Sequence, residues 1–338
     1  MPRAAILGTG LIGASIGMAL REQNWNTVGW DPDPRSLQAA TDRGAVEPAG
    51  SPEEAISGVD LVILAGPLGA NLDRVTNLQT DAIVTDVTSV KRAIVDAVPS
   101  CLRFVGGHPM AGREHAGPGA ASPALFRGAA WILCDDRTRP EDLAFLEKMV
   151  GSVGANPVVM SAALHDEVVA EISHIPHLLA VALTNLAAEN PDTAPLVSGS
   201  FRDLTRVAGA DSGWWPEVLA ANADEVAKGL GQMISHLTKL EAQIEAGDLD
   251  AIRATLETAR RNRTGMAPTL SRVRVVLLDK PGEIASVGHA LESSHVDVRD
   301  LQLRHAEHGG GGILTITVRP GEEGPLRAAL AQEGFDTE

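Results

Sequence analysis

The feature that most narrows the fold is Gly8-Thr9-Gly10-Leu11-Ile12-Gly13. It lies between the apolar run Ala4-Ala5-Ile6-Leu7 and the helix-forming stretch from Ala14 to Gln23. A GxGxxG is informative only between a strand and a helix, which is its setting here. Gly8 permits the tight turn, Gly10 lets a pyrophosphate approach the backbone, and Gly13 permits close packing of helix on strand. Leu11 and Ile12 open the helix, whose unpaired N–H groups and positive dipole end suit phosphates. The segment predicts a dinucleotide-binding site; the plain alternative is a glycine turn that binds nothing.

The following residues extend the pattern. Thr27 to Trp30 reads as a second strand ending at Asp31, which lies 18 residues past Gly13 (31 minus 13). That is close to the spacing of a carboxylate that holds ribose hydroxyls. A 2′-phosphate there would meet a negative charge, so NAD is favoured over NADP, although Arg35 nearby leaves NADP open. Leu61 to Ala65 reads as a strand running into Gly66-Pro67, where a cofactor would pass. Ala82 to Asp86, Ala129 to Cys134 and Pro157 to Met160 read as further strands, with a helix over Pro140 to Val150. Strand–helix alternation behind such a fingerprint predicts an α/β domain with a Rossmann-type, doubly wound parallel sheet over residues 1–160.

Chemistry points to Gly106-Gly107-His108-Pro109-Met110-Ala111-Gly112-Arg113-Glu114, which follows the apolar run Leu102 to Val105. Glycines let the backbone approach a ligand, and Pro109 fixes the backbone after the histidine. In an open parallel sheet, ligands bind outside the strand ends. His108 is therefore expected at a strand exit, with Glu114 six residues on. Ser89 follows the Ala82 to Asp86 strand, beside where His108 should emerge. Taken alone it reads as the N-cap of a helix over Lys91 to Val98.

From Ser161 to about Thr264 no strand pattern occurs, and residues 161–268 read as an all-helical domain. His174 and His177 are three apart and share a helix face. Metal ligation, simple packing and substrate hydrogen bonding are the readings, the last preferred because no carboxylates or sulfurs cluster there and Pro176 disturbs the helix between them. Gly199 to Arg206 reads as a loop before Trp214 and Trp215. Arg206 can clamp a carboxylate bidentately, or, taken alone, form a surface ion pair with Asp203 or Asp211. Residues 269–338 read as βαββαβ, the split ferredoxin-like order.

Composition excludes several classes. The formal charge is −16, with 28 basic and 44 acidic residues, which argues against nucleic-acid or membrane-surface partners. Cys101 and Cys134 make no metal or redox pattern, so no metal is expected. No apolar run approaches a spanning helix, and a soluble cytoplasmic protein is expected. With no tyrosine in the chain, no phenolic hydroxyl takes part in catalysis.

Together, GTGLIG, DVTSVK, GGHPMAGREHAG, LHDEVVAEISHIPH and SFRDLTRVA with the tryptophans after it resemble the prephenate/arogenate dehydrogenase family, over nearly the whole chain. The tail is similar to an ACT domain. The resemblance implies oxidation of prephenate by NAD⁺ to 4-hydroxyphenylpyruvate, CO₂ and NADH, driven by aromatisation of the ring. It implies His108 as the catalytic histidine, neutral so as to accept a hydrogen bond from the ring hydroxyl, and Ser89 as the serine that orients it. It implies Arg206 on a substrate carboxylate, Ser173, His174 and His177 lining the pocket, and Glu114, Asp203 and Trp215 shaping or gating its entrance. It also implies a homodimer with helices of both subunits in the cleft, and a tail that senses tyrosine or supports dimerisation. Val87-Thr88 departs from the Gln-Gly of many relatives. Asp297, where relatives often carry asparagine, weakens the case for amino-acid binding in the tail. Prephenate against arogenate stays open. A non-catalytic, NAD-responsive regulator has no need of His108 beside Ser89. A β-hydroxyacid dehydrogenase needs a catalytic lysine in the helical domain, where Lys228 and Lys239 sit in no such segment.

Overall fold

A computed structural model describes residues 1–113, 117–209, 213–266, 270–278, 280–305 and 311–337. The chain divides into two compact units, Met1–His236 and Leu237–Glu338.

The first unit opens with β1 (Arg3–Leu7), α1 (Leu11–Glu22), β2 (Asn26–Trp30), α2 (Pro34–Asp42), β3 (Glu47–Pro48) and α3 (Pro52–Ala55). Then come β4 (Leu61–Leu64), α4 (Leu68–Asn77), β5 (Ile83–Asp86), α5 (Arg92–Ala97) and β6 (Phe104–Val105). These six strands form one parallel sheet in the order β3-β2-β1-β4-β5-β6, the doubly wound order with its switch point between β1 and β4. Both faces are buried. Ala4 and Ile6 enter one core cluster while Ala5 and Leu7 enter the other, which is why the strands read as continuous apolar runs rather than alternating ones. Helix starts are set locally: Asp33 and Ser51 accept backbone N–H groups at the heads of α2 and α3, each followed by proline at the first helical position.

The sheet does not continue through the later strands as expected. β7 (Gly107–Pro109), β8 (Ala130–Cys134) and β9 (Asn156–Met160), with α6 (Pro140–Ser152) before β9, make a separate three-stranded sheet. β8 and β9 are parallel across their helical crossover, but β7 and β8 are antiparallel. Among the described residues between β7 and β8, the only helical piece is the short 3₁₀ turn Pro118–Ala120. Without a crossover helix the chain returns antiparallel. His108 therefore sits within a strand, opposite Ile132, rather than in a turn at a strand exit.

The helical part runs α7 (Ala162–Val169), a π-helical turn (Ala170–His174), α8 (Ile175–Ala188), α9 (Gly199–Thr205), a 3₁₀ turn (Arg206–Gly209), α10 (Trp215–Ala221) and α11 (Ala223–Glu245). Ser161 caps α7 through the Leu164 N–H. The π turn has a sequence cause, because Pro176 has no N–H to give Ile172 and its ring crowds that carbonyl, so the helix widens just before it. Gly199 to Thr205 is helical, not the expected loop, and packs beside α8. Contrary to the sequence expectation, the stretch Ala162–Ala188 is long and apolar enough to cross a membrane by length and composition, with 28% of its apolar window buried. It nevertheless carries the buried polar residues His165, Asp166 and His174.

In the second unit, α12 (Leu249–Met266) precedes β10 (Ser271–Leu277), α13 (Glu283–Ser294), β11 (Asp300–His305), β12 (Gly312–Val318) and α14 (Glu323–Gln332). β11 starts at Asp300, later than the expected Val296. The sheet order is β10-β12-β11, antiparallel throughout, and Thr337 bridges to Val275 on the free edge of β10. The expected last strand is thus a single bridge. Val273, Val275, Leu314 and Ile316 pack with Val287, Leu326 and Leu330 of the two helices.

Candidate active site

The glycine turn behaves as its spacing requires. Gly8 has φ +108°, and a Cβ on it would lie 2.6 Å from the Ala65 carbonyl; one on Gly13 would lie 1.9 Å from the Gly8 oxygen. Gly10 faces open space. The three glycines thus press β1, β4 and α1 together and leave a gap at the helix N-terminus. Gly10, Leu11, Ile12, Gly66 and Pro67 line a cleft of about 510 Å³, a size suited to a small ligand. Asp31, at the end of β2, braces the turn: its Oδ2 accepts from the Thr9 N–H at 2.6 Å and the Thr9 hydroxyl at 3.1 Å. Buried Asn71 was not anticipated. Its amide donates to Leu64 O and Gly66 O and accepts from the Gly66 N–H, fixing the turn after β4.

Ser89 and His108 line the same cleft, with Trp214. Ser89 is not a helix cap. The first N–H groups of α5, on Lys91 and Arg92, donate instead to the Asp166 carboxylate at 2.7 and 2.9 Å. That carboxylate anchors a chain of rings: Asp166 Oδ1 lies 2.7 Å from His165 Nδ1, and His165 Nε2 lies 2.8 Å from His108 Nδ1. The chain assigns the protons. An ionised carboxylate accepts from His165 Nδ1–H, so His165 Nε2 accepts from His108 Nδ1–H, leaving His108 Nε2 as a proton acceptor. Burial, then neighbouring His165, Lys91 and His174, hold the His108 imidazole well below the ordinary histidine range. Burial works against the Asp166 charge, but the His165 hydrogen bond and the two backbone N–H groups outweigh it and hold the carboxyl below its usual range. The electrostatics and the hydrogen-bond directions agree on a neutral His108.

A second constellation holds the strand that carries His108. Lys91 is fully buried and pairs with buried Asp86; its Nζ also donates to Thr88 Oγ1 at 2.9 Å and to Gly107 O at 2.7 Å. Asp86 in turn accepts from the Thr88 hydroxyl and, through Oδ1, from the Gly107 N–H at 3.0 Å. A buried pair needs such extra partners to offset desolvation. Asp86 and Lys91 were readable only as ends of a strand and a helix; two opposite charges bracketing the short segment Val87-Thr88-Ser89-Val90 was the available signal.

The π turn brings His174 and His177 to one tryptophan. His177 stacks on Trp215 with centroids 3.8 Å apart, and His174 meets its edge at 5.9 Å. His174 also lies 3.4 Å from the Asn222 amide, which donates to the Asp166 backbone carbonyl at 2.8 Å. Burial lowers the His174 imidazole to about 4 and lowers that of His177 less. The Trp215 indole Nε1 is buried with no hydrogen-bond partner. Ser173 is half-buried on the π turn. Asp203, on α9, and Arg206, on the 3₁₀ turn after it, are exposed on segments that pack against α8 and do not line the cleft. Glu114 lies outside the described residues. Among the described residues, no group of three or more His, Cys, Asp or Glu is placed to hold a metal.

A β3-β2-β1-β4-β5-β6 parallel sheet, a glycine turn open at a helix N-terminus, and a neutral histidine in the same cleft define a dinucleotide-binding oxidoreductase of the Rossmann class. Residues 16–159 match the family model described as prephenate dehydrogenase, nucleotide-binding domain, and residues 161–258 match the prephenate dehydrogenase dimerization domain. The chain belongs to the prephenate dehydrogenase family. It is 31% identical to the probable prephenate dehydrogenase NovF of Streptomyces niveus, with 95% of each chain covered. Among solved structures, it resembles Aquifex aeolicus prephenate dehydrogenase in complex with hydroxyphenyl propionate and NAD⁺ (TM-score 0.72, 28% identity, 79% of this chain and 99% of that one). It also resembles Synechocystis arogenate dehydrogenase (TM-score 0.70, 29% identity, 78% of this chain and 100% of that one).

Proposed function

We propose that this chain is an NAD-dependent prephenate dehydrogenase, which converts prephenate and NAD⁺ to 4-hydroxyphenylpyruvate, CO₂ and NADH. The observation that carries the reading is the Asp166–His165–His108 chain, which leaves a neutral imidazole with a proton-accepting nitrogen in the dinucleotide cleft. The gap at Gly10 and the head of α1 suits a pyrophosphate. Asp31, at the end of β2, suits ribose hydroxyls once it exchanges its bond to Thr9. Bound NAD⁺ supplies the hydride acceptor.

His108 accepts the proton of the ring hydroxyl as the C4 hydrogen leaves with its electron pair. The carbon–carbon bond to the ring carboxylate then breaks, its electrons complete the aromatic ring, CO₂ departs, and the ring oxygen takes back the proton held by His108. His165 holds His108 in one tautomer, with Asp166 fixing the ring behind it. Ser89 orients His108 from the cleft side. Arg206 takes a substrate carboxylate, Ser173, His174 and His177 line the substrate end, and Asp203, Glu114 and Trp215 shape its entrance. Arg206 and Asp203 lie on the helical part, in line with a homodimer whose helices complete the cleft. We divide the chain into a nucleotide domain (1–160), a helical substrate and dimerisation domain (161–268) and an ACT-like domain (269–338), which senses tyrosine or supports dimerisation. The protein is placed in the cytoplasm.

NADH formation measured with prephenate and with arogenate, each with NAD⁺ and NADP⁺, with and without tyrosine, tests the substrate, the cofactor and the role of the tail. The expected result is turnover of prephenate with NAD⁺; inhibition by tyrosine would assign the tail to sensing, and its absence to dimer support. The His108→Asn variant is expected to lose about 10²–10⁴ in turnover, the usual contribution of a positioned base; near-normal turnover would remove His108 from the mechanism. Preference for arogenate would reassign the substrate and leave the chemistry at His108 standing.

A further inference from the structure

In the second unit, the sheet face turned away from α13 and α14 carries an arginine-rich cavity of about 450 Å³. Strand alternation puts it there. Val273, Val275 and Leu277 point into the core, so Arg272 and Arg274 point to the opposite face. The register sets Arg272 beside Thr317 and Arg274 beside Thr315, with Asp300 and Gln302 beyond them on β11. Arg304 of β11 and Arg263 from the last turn of α12 complete the charged lining. The described lining holds four guanidiniums and one carboxylate.

A chain of formal charge −16 gathers these cations at one place. Thr317 and Thr315 of β12 stand between Arg272 and Arg274 and the β11 residues, and none of these residues lines the His108 cleft. The volume falls in the range of small-molecule sites. Each guanidinium fork can take a carboxylate or phosphate bidentately, and the threonine hydroxyls add donors. Arg272 and Arg274 lie about 7 Å apart along the strand, so one ligand can engage both with two anionic groups.

We propose that this cavity binds a small polyanion, either a di- or tricarboxylate or a phosphate-bearing metabolite. The test is isothermal titration of the full chain with citrate and with inorganic phosphate, in chloride buffer of matched ionic strength. Saturable binding of at least one probe is expected, with Kd below about 1 mM. Arg272→Ala/Arg274→Ala should weaken it by about tenfold or more, in a variant whose circular dichroism matches the parent's. Thr315→Val, which keeps the strand shape, should weaken it by about threefold and carries the test if the double variant does not fold. Citrate alone would identify a polycarboxylate ligand, phosphate alone a phosphate ester; either supports the site. Absence of saturable binding overturns it, as does binding that survives both substitutions, which would place the anion elsewhere. A double variant with a changed oligomeric state and unchanged anion affinity also overturns it and makes this face a contact between copies.

Discussion

His108 can take a proton only while its Nε2 is bare, and two neighbours keep it so. His165 accepts the Nδ1 proton, and Asp166 holds His165 in the tautomer that can do so. With His165→Asn the tautomer is no longer imposed, and turnover is expected to fall by about tenfold or more. The acid limb of kcat/KM should also move to higher pH, because one of the groups depressing the His108 imidazole is gone. An unshifted acid limb would reduce His165 to packing. His174 makes a stability prediction. Its imidazole sits at about 4 in the fold and near 6.5 when unfolded. Between those values the unfolded chain holds a proton that the native one lacks, so stability is complete above pH 6.5. His174 contributes about 3 kcal/mol to the loss on acidification through that window, alongside His108 and His177, which are depressed too. Urea unfolding at several pH values checks this, and a His174→Asn chain with an equally steep pH slope would exclude His174 as its source. The sequence placed His108, Ser89 and the glycines; it showed His165 only as one histidine among several, because 57 residues separate it from its partner.

The telling element is the helix Ala162–Ala188 with its π turn. The π turn ends at His174 and the α-helix resumes at Ile175; His174 meets the edge of Trp215 and His177, three positions on, its face. Pro176→Ala should allow a regular α-helix, with equal or greater thermal stability because proline is the poorest helix former. It should also disturb the stack, lowering kcat/KM by about tenfold or more through misplacement. Circular dichroism with steady-state kinetics separates the two effects; unchanged kinetics would show that the π turn carries no function. The proline was visible in the sequence as a disturbance, but not its resolution. A kink, a break and a π turn all relieve the same clash, and packing on Trp215 selects among them. The short strand carrying His108 was hidden for a similar reason: three residues bounded by glycine and proline look like a turn until β8 pairs with them.

For the whole molecule, the exposed apolar helix faces are the largest unmet demand. Ile172 is 60% exposed and Leu186 64% exposed on the α7–α8 stretch, within the residues that match a dimerization domain. Exposed apolar patches of this kind mark an interaction surface. A homodimer is expected by analytical ultracentrifugation. Ile172→Glu/Leu186→Glu should dissociate it and lower turnover together, since the proposal has helices of both subunits completing the cleft. A monomer that keeps full turnover would confine the site to one subunit.

What the sequence alone determined is local. Glycine spacing, apolar runs and cap residues act over a few neighbours, and they specified the dinucleotide turn, most strands and the helical middle. Tertiary structure decided everything that needs partners far apart in the chain: the second sheet under His108, the bonds from the buried Lys91–Asp86 pair to Gly107, and the histidine pair ending on Asp166. Those groups acquire their charge states and tautomers only when packing removes water and leaves each with a fixed set of neighbours to bond, and spacing along a chain does not encode that set.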